Sequence, residues 1–178
     1  PIGNPVCASN KNNIFTDFIR TGVYDKRREF FKTMSPSMDI LISSNLERLL
    51  FELSGRNAVR TKLRMDKLRE EGVYEIYDEE KEEIGKLFYA DYCGEDETVE
   101  TIYEFFEEYQ YPMDTHTACA MYAAASYMEK EKDHDTPMVV VSTASPYKFP
   151  QDVMYALTGN DIKDSFKAIK HLNITTAM

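Results

Sequence analysis

Apolar residues recur at two spacings along this chain, and together the spacings predict short strands that alternate with helices. Residues 5–9 form a compact apolar run, and a helical pattern starts after the polar stretch 10–13 and stops at Gly22. Ile40–Ile42 is a second β-like run, and the leucines within 46–53 repeat at the spacing of an amphipathic helix. This alternation indicates an α/β fold with a parallel sheet.

The middle of the chain is strongly charged and predicts helices with only a thin apolar stripe. Residues 58–71 and 78–87 both have this pattern, and 73–77 between them is a short extended piece. We therefore expect a mostly helical insertion at about 56–95, packed on one side against the rest of the domain.

The C-terminal half predicts further helices and one more strand. Helical patterns cover 98–109, the alanine-rich stretch 117–128 and the residues from 151 onwards. Met138–Val141 is continuously apolar and mostly β-branched, which is typical of a central parallel strand. The strand content is low for 178 residues, so we expect a partial parallel sheet with flanking helices rather than a complete doubly wound sheet.

Composition and charge narrow the function classes. Hydrophobic residues make up 43% of the chain and charged residues 29%, which is ordinary for a globular domain. No apolar run approaches the roughly 20 residues needed to cross a membrane. The net charge of −10 disfavours nucleic acid and anionic membranes as partners.

Cysteine and histidine spacing gives no sign of a metal centre. Cys7, Cys93 and Cys119 are far apart, odd in number and not arranged as a disulfide framework. No two histidines have the spacing of metal ligands. We therefore expect free thiols, no bound metal and a cytoplasmic location.

Polar side chains follow two of the apolar runs, where the strands of an α/β sheet present groups to ligands. Ser142 and Thr143 come directly after Met138–Val141, and their hydroxyls either cap a turn or bind a ligand. Asn10 and Asn12 follow the first run. They either cap the next helix or take part in an anion site at its N-terminus.

Three further polar residues stand at predicted helix starts. Asn45 is a candidate cap, and Arg48 lies in the first turn of the helix over 46–53. A guanidinium suits bidentate phosphate binding, although an Arg on a helix is more often a surface residue. His116 is either a polar group of a site or an interior histidine near a helix cap.

Two stretches resemble the threonine synthase family nearly residue for residue. Ser35–Leu50 reads Ser-Pro-Ser-Met-Asp-Ile-Leu-Ile-Ser-Ser-Asn-Leu-Glu-Arg-Leu-Leu, and Val139–Phe149 reads Val-Val-Val-Ser-Thr-Ala-Ser-Pro-Tyr-Lys-Phe. The segment 114–117 is similar to the family's Asp-Pro-His-Thr pattern, with Thr115 in place of the proline. The resemblance is to the longer-chain class and runs from about Pro1 to Thr158.

The resemblance implies a fold type II (tryptophan synthase β-like) architecture with a pyridoxal phosphate (PLP) cofactor. The implied reaction converts O-phosphohomoserine and water to threonine and phosphate. By the same resemblance, Thr143 faces the pyridine nitrogen of PLP, and Ser142 is the alternative for a one-residue slip. The substrate-binding candidates are Asn10, Asn12, Asn45, Arg48 and His116.

Two parts that PLP chemistry requires are missing from the sequence pattern. All seven glycines are isolated, so no Gly-rich turn is present to bind the cofactor phosphate. The family's Schiff-base lysine lies in a Ser-Phe-Lys-Asp motif, whereas Lys167 is followed by Ala168 in a predicted terminal helix. The chain also opens at Pro1 without Met. We therefore expect residues 1–178 to be a C-terminal part of the enzyme, with no catalytic residue and no covalently bound PLP.

A C-terminal part separated from its enzyme leaves apolar surface uncovered. We therefore expect this chain to pair with the N-terminal part of the enzyme and to self-associate. Two alternatives remain open: a catalytically inactive homologue that binds a metabolite or a partner, and another fold type II PLP lyase such as a threonine dehydratase. The Ser35–Leu50 stretch speaks against the dehydratase.

Overall fold

Short strands and amphipathic helices alternate along the chain, as the sequence predicts. A computed structural model describes residues 3–177. The elements of these residues are β1 (Val6–Ser9), α1 (Ile14–Thr21), β2 (Val23–Asp25), α2 (Leu46–Leu53), α3 (Ala58–Glu70), β3 (Val73–Glu75), α4 (Asp78–Leu87), β4 (Tyr89–Tyr92), α5 (Glu95–Tyr109), α6 (Thr115–Glu131), α7 (Pro150–Thr158) and α8 (Ser165–Thr176). The predicted α/β class with a partial parallel sheet is confirmed.

The strands form two separate two-stranded sheets. β1 and β4 are parallel, with Val6 opposite Tyr89, and both α1 and α6 contact this pair. β2 and β3 are antiparallel, with Tyr24 opposite Tyr74. Within residues 3–177, no helix combines the length and apolar character that a membrane crossing requires.

An aromatic core holds α1 to α4 around the antiparallel sheet. The stacked rings of Tyr24 and Tyr74 have centroids 5.3 Å apart, and Phe18 meets Tyr24 edge-on at 5.6 Å. Leu50 from α2 and Ile84 from α4 are fully buried in the same cluster. The charged helices bury few apolar residues of their own. Each large side chain buried in this core contributes on the order of 1.5–3 kcal/mol to folding stability and compensates for that weakness.

A second core joins the four C-terminal helices. Its centre contains Ile102 of α5, Ala118 of α6, Val153 of α7 and Leu172 of α8, all fully buried. Helix α6 belongs to this core and also contacts the parallel strands, so it links the two halves of the described chain.

The predicted stop of α1 at Gly22 is also confirmed. Gly22 has a φ of 80°, and its amide donates to the Phe18 carbonyl. A Cβ at this position would lie 3.3 Å from the Ile76 side chain. Both the left-handed backbone and the close approach therefore favour glycine.

Two of the predicted strands are not formed. Ile40–Ile42 and Met138–Val141 have no strand conformation, and both runs are largely open to solvent, with Val139 81% exposed and Val141 71% exposed. A strand needs a neighbour for its backbone groups, and in the described residues these runs have none. Conversely, the sequence pattern missed β2 and β4, which are short and lie beside charged helices.

The segment 56–95 contains strands as well as helices. It contains α3 and α4, but also β3 and β4, which pair with β2 and β1 outside the segment. Its position is therefore fixed by both sheets as well as by its helices.

A buried ion pair joins the two charged helices of this segment. Arg64 of α3 and Glu80 of α4 are each 5% exposed, and Arg64 Nη1 donates to Glu80 Oε1 at 2.9 Å. The Tyr77 amide donates to Glu80 Oε2 at 2.9 Å, and Arg60 Nη1 lies 3.5 Å from Oε1. Burial raises the pKa of Glu80, but the hydrogen bonds from Arg64 and Tyr77 outweigh burial and lower the pKa below its ordinary value.

We expect Glu80→Gln to lower the free energy of unfolding by about 3–5 kcal/mol, because it leaves the Arg64 guanidinium buried and unpaired. The matched control is Glu79→Gln on the exposed side of α4, which should change stability by less than about 0.5 kcal/mol. Since the folded-state pKa of Glu80 is depressed, the pair stabilises above the unfolded pKa and this contribution is lost as the pH falls through the folded pKa. Urea unfolding at several pH values measures both effects, and equal losses in the two variants would contradict the assignment.

Candidate functional site

A cluster of hydrogen-bonded polar side chains lies at the carboxyl end of β1. We call it the Asp39 cluster, and its members are Asn10, Asn12, Thr33, Ser35 and Asp39. Asn10 is 1% exposed and Asn12 is 3% exposed, so these amides must be satisfied within the protein. They are held in place by the connection between β2 and α2, which folds back over the end of the strand.

The carboxylate of Asp39 accepts hydrogen bonds from three of these residues. Asn10 Nδ2 lies 2.8 Å and Asn12 Nδ2 lies 3.0 Å from Asp39 Oδ1. Thr33 donates twice, from Oγ1 to Oδ1 at 2.6 Å and from its amide to Oδ2 at 3.0 Å. All of these donors are uncharged, so the carboxylate is stabilised by oriented dipoles in place of water.

The two asparagines also fix the backbone around them. Asn12 exchanges two hydrogen bonds with the backbone of Phe31, at 2.8 Å and 2.9 Å. Asn10 Oδ1 accepts from the Asn12 amide at 2.9 Å, and Asn10 Nδ2 lies 3.0 Å from Ser35 Oγ. Neither residue caps α1 through its side chain, because both side chains are used by the connection above them.

The start of α6 holds the same connection from the other side. Asp114 is fully buried and caps the helix by accepting from the amides of His116 and Thr117, at 2.9 Å and 3.3 Å. Thr115 Oγ1 donates to the Met34 carbonyl at 2.8 Å. His116 Nε2 accepts from the Ser37 amide at 3.1 Å.

The contacts of His116 assign its tautomer. Since Nε2 accepts from a backbone N–H, the ring proton lies on Nδ1, which is 3.2 Å from Asp114 Oδ1. The ring is 8% exposed and packs against Phe149 at a centroid distance of 4.6 Å. His116 is therefore a neutral bridge between α6 and the connection that carries Ser37.

The hydroxyls after the unpaired Met138–Val141 run lie beside this helix start. Ser142 Oγ lies 3.1 Å from Thr117 Oγ1, whose hydroxyl is also bonded to Asp114. Thr143 is exposed and, within residues 3–177, its side chain has no hydrogen-bond partner. The hydroxyl of Thr143 is thus available to a ligand, whereas that of Ser142 is already engaged.

The structure separates the remaining two candidates from this region. Asn45 and Arg48 are exposed, and Arg48 Nη2 donates to Asn45 Oδ1 at 2.9 Å. In the described part of the chain, neither residue hydrogen-bonds to the Asp39 cluster. The candidates that lie together are Asn10, Asn12, His116 and Ser142, with Thr143 next to them.

Comparison with known proteins identifies one family. Residues 117–174 match the family described as threonine synthase, C-terminal. The chain is 36% identical to threonine synthase from Pseudomonas aeruginosa over 89% of its length and 33% of that protein. It is likewise 36% identical to threonine synthase-like 1 from Homo sapiens, over 93% of this chain and 22% of the relative.

Two solved structures extend the match to the fold. PLP-bound threonine synthase from Brucella melitensis superposes with a TM-score of 0.80 at 35% identity, covering 92% of this chain and 34% of that one. The yeast threonine synthase gives a TM-score of 0.85 at 30% identity, covering 94% and 35%.

The chain matches the C-terminal part of the threonine synthase family. It spans between about a fifth and a third of the length of these relatives. The resemblance identified from Ser35–Leu50 and Val139–Phe149 is therefore confirmed.

The sequence pattern missed several residues that build the Asp39 cluster and its surroundings. Thr33, Ser35 and Asp39 were not predicted, although two of them lie in the Ser-Pro-Ser-Met-Asp stretch that marks the family. Glu95 was also missed, and its Oε2 accepts from the Met34 amide at 3.0 Å. Burial raises the pKa of Glu95, and the hydrogen bond from Met34 offsets only part of this rise. The signal in the sequence was the family motif, because no periodicity relates these positions to Asn10.

Two surface cavities of the described residues lie away from the predicted site residues. Surface cavities of about 220 and 390 Å³ lie next to Tyr89 and Tyr77, respectively, and neither is lined by a predicted site residue. Among the described residues, no group of three or more His, Cys, Asp or Glu side chains is arranged to hold a metal ion.

We expect Asp39→Asn to loosen the connection over β1, because an amide nitrogen would face the donors that now share the carboxylate. The free energy of unfolding should fall by about 1–3 kcal/mol, and the amides of residues 31–37 should exchange hydrogen faster. Glu29→Gln, an exposed acid in the same connection, is the matched control. Exchange over residues 31–37 that is the same in both variants would show that Asp39 does not organise the loop.

Proposed function

We propose that this chain acts as the C-terminal part of a PLP-dependent threonine synthase, a cytoplasmic carbon–oxygen lyase that acts on O-phosphohomoserine. The observation that carries the proposal is the superposition of 92% of the chain on a PLP-bound threonine synthase with a TM-score of 0.80. The products of the reaction would be threonine and phosphate. The activity belongs to the whole enzyme, and this chain supplies part of its site.

The residues present fit one edge of PLP. The cofactor supplies an electron sink, and a hydroxyl that bonds its pyridine nitrogen tunes that property. Thr143 supports this role, since its hydroxyl is exposed and makes no other bond in residues 3–177. Ser142 is the second candidate, and its contact with Thr117 at 3.1 Å ties the segment to the start of α6.

The Asp39 cluster would form part of the substrate wall. The side-chain amides of Asn10 and Asn12 are consumed by internal hydrogen bonds, so in this proposal they act by holding the connection that carries Ser35 and Ser37. His116 holds the same connection through the Ser37 amide. Asn45 lies just before α2 and Arg48 lies on it, and both side chains are exposed. In this proposal they contact substrate only if the rest of the enzyme positions the substrate next to α2.

The other groups that PLP chemistry requires would come from the N-terminal part of the enzyme. A lysine that forms the Schiff base and a Gly-rich turn for the cofactor phosphate are not found in this sequence, so the chain alone is not expected to hold PLP covalently. The exposed side chains of Val139 and Val141 favour pairing of this run with a strand from that part. The same surface would promote self-association of the isolated chain. We also propose that residues 56–95 are an insertion in the PLP-enzyme domain, although both of its strands are tied to the core.

In the full-length enzyme, we expect Thr143→Val to retain PLP and to lower kcat/KM. Valine keeps the shape of threonine and removes the hydroxyl, so the pyridine nitrogen loses a hydrogen bond worth about 1–3 kcal/mol. Ser142→Ala is the matched control and should have the smaller effect, because the Ser142 hydroxyl is engaged by Thr117.

The measurements are cofactor absorbance and phosphate release from O-phosphohomoserine. A larger loss in Ser142→Ala would move the role to Ser142. If the full-length protein bound PLP but released no phosphate from this substrate, the inactive-homologue alternative would replace the proposed activity.

A further inference from the structure

Two buried cysteines meet where β4, α5 and α6 converge. Cys93 follows β4 directly and Cys119 lies in the second turn of α6, and they are 1% and 0% exposed. Thr98 Oγ1 of α5 lies 3.3 Å from the Cys93 sulfur and 3.7 Å from the Cys119 sulfur. One hydroxyl is therefore in contact with both sulfurs. Neither thiol has a part in the proposed reaction.

The surroundings shift the pKa values of the two thiols in opposite directions. The hydrogen bond from Cys93 lowers the pKa of Cys119 against the opposing effect of burial, and contacts with Thr98 and Ser35 lower it further. The same contact and burial raise the pKa of Cys93. A thiol with a lowered pKa that shares a hydroxyl contact with a second thiol has a partner that can resolve its sulfenic acid once the structure opens locally.

We propose that Cys93 and Cys119 form an oxidative modification site that hydrogen peroxide closes to a disulfide. The Cys119 thiolate attacks one peroxide oxygen, the O–O bond breaks, and hydroxide leaves to give a sulfenic acid on Cys119. The Cys93 thiol then loses its proton and attacks that sulfur, forming the S–S bond and releasing water. The two sulfurs lose two electrons in total, and the peroxide is reduced by the same two. Both sulfurs are buried, so the proposal requires a local opening that lets peroxide reach them.

The pair is connected to the Asp39 cluster. The Cys119 sulfur lies 3.8 Å from Ser35 Oγ, and Ser35 Oγ lies 3.0 Å from Asn10 Nδ2. A disulfide would draw the Cys119 sulfur toward Cys93 and away from Ser35. Oxidation is therefore expected to loosen the connection that carries Ser35 and Ser37, whatever reaction the whole enzyme performs.

The test is peroxide titration of the full 178-residue chain, followed by alkylation in denaturant and peptide mapping. Residues 87–129 contain no Lys or Arg, so trypsin leaves both cysteines in one peptide and a second cleavage after Glu separates them. We expect the peptide to lose two hydrogen atoms, to resist alkylation, and to yield two linked fragments after the second cleavage. Dithiothreitol should restore both thiols, and amides 33–39 should exchange faster only in the oxidised form.

Cys7 provides the matched control, because it is half-buried and burial raises its pKa. Cys7→Ser should leave the linkage intact, and Cys93→Ser should leave a sulfenic acid on Cys119 that dimedone traps. The wild-type map alone decides the matter if a variant fails to fold. Oxidation of Cys7 before the pair, or conversion of Cys119 to sulfinic acid without a link to Cys93, would overturn the proposal.

Discussion

The carboxylate of Asp39 is the group on which the arrangement of the candidate site depends. A carboxylate folded onto the end of a strand must replace its lost water with hydrogen bonds, and Asn10, Asn12 and Thr33 provide them. The donors come from the turn between β1 and α1 and from the connection between β2 and α2. The bonds to Asp39 therefore fix the position of the connection between β2 and α2. That connection in turn contacts Thr115 and His116 at the start of α6.

The same connection joins the two halves of the described chain. On one side it rests on β1 and the aromatic core around Tyr24, and on the other it is held by Thr115 and His116 at the start of α6. Because α6 also belongs to the C-terminal core, a displacement of either core would be felt at Ser35–Ser37. A polar cluster that is fixed from two packed bodies is held rigidly, as a preorganised site requires.

Sequence reasoning succeeded where local chemistry decides the structure. The leucines of 46–53, the charged pattern of 78–87 and the stop at Gly22 correspond to observed elements. It failed where distant partners decide, since Ile40–Ile42 and Met138–Val141 are apolar enough for strands but have no neighbouring strand in residues 3–177. In the site, the family motif pointed to Ser35–Leu50, but the contacts of Asp39 span up to 29 residues and no spacing rule predicts them.

Our central claim is that this chain is one part of a larger PLP-enzyme domain. Hydrogen exchange at Met138–Val141 tests this claim most directly. Hydrogen exchange of the amides of residues 138–143 would be measured in the isolated chain and after addition of the separately expressed N-terminal part of the enzyme. Our account predicts fast exchange alone and strong protection in the mixture, because the run gains a strand neighbour, together with reduced binding of a hydrophobic dye. Unchanged exchange and unchanged dye binding in the mixture would contradict it and would favour a self-sufficient domain.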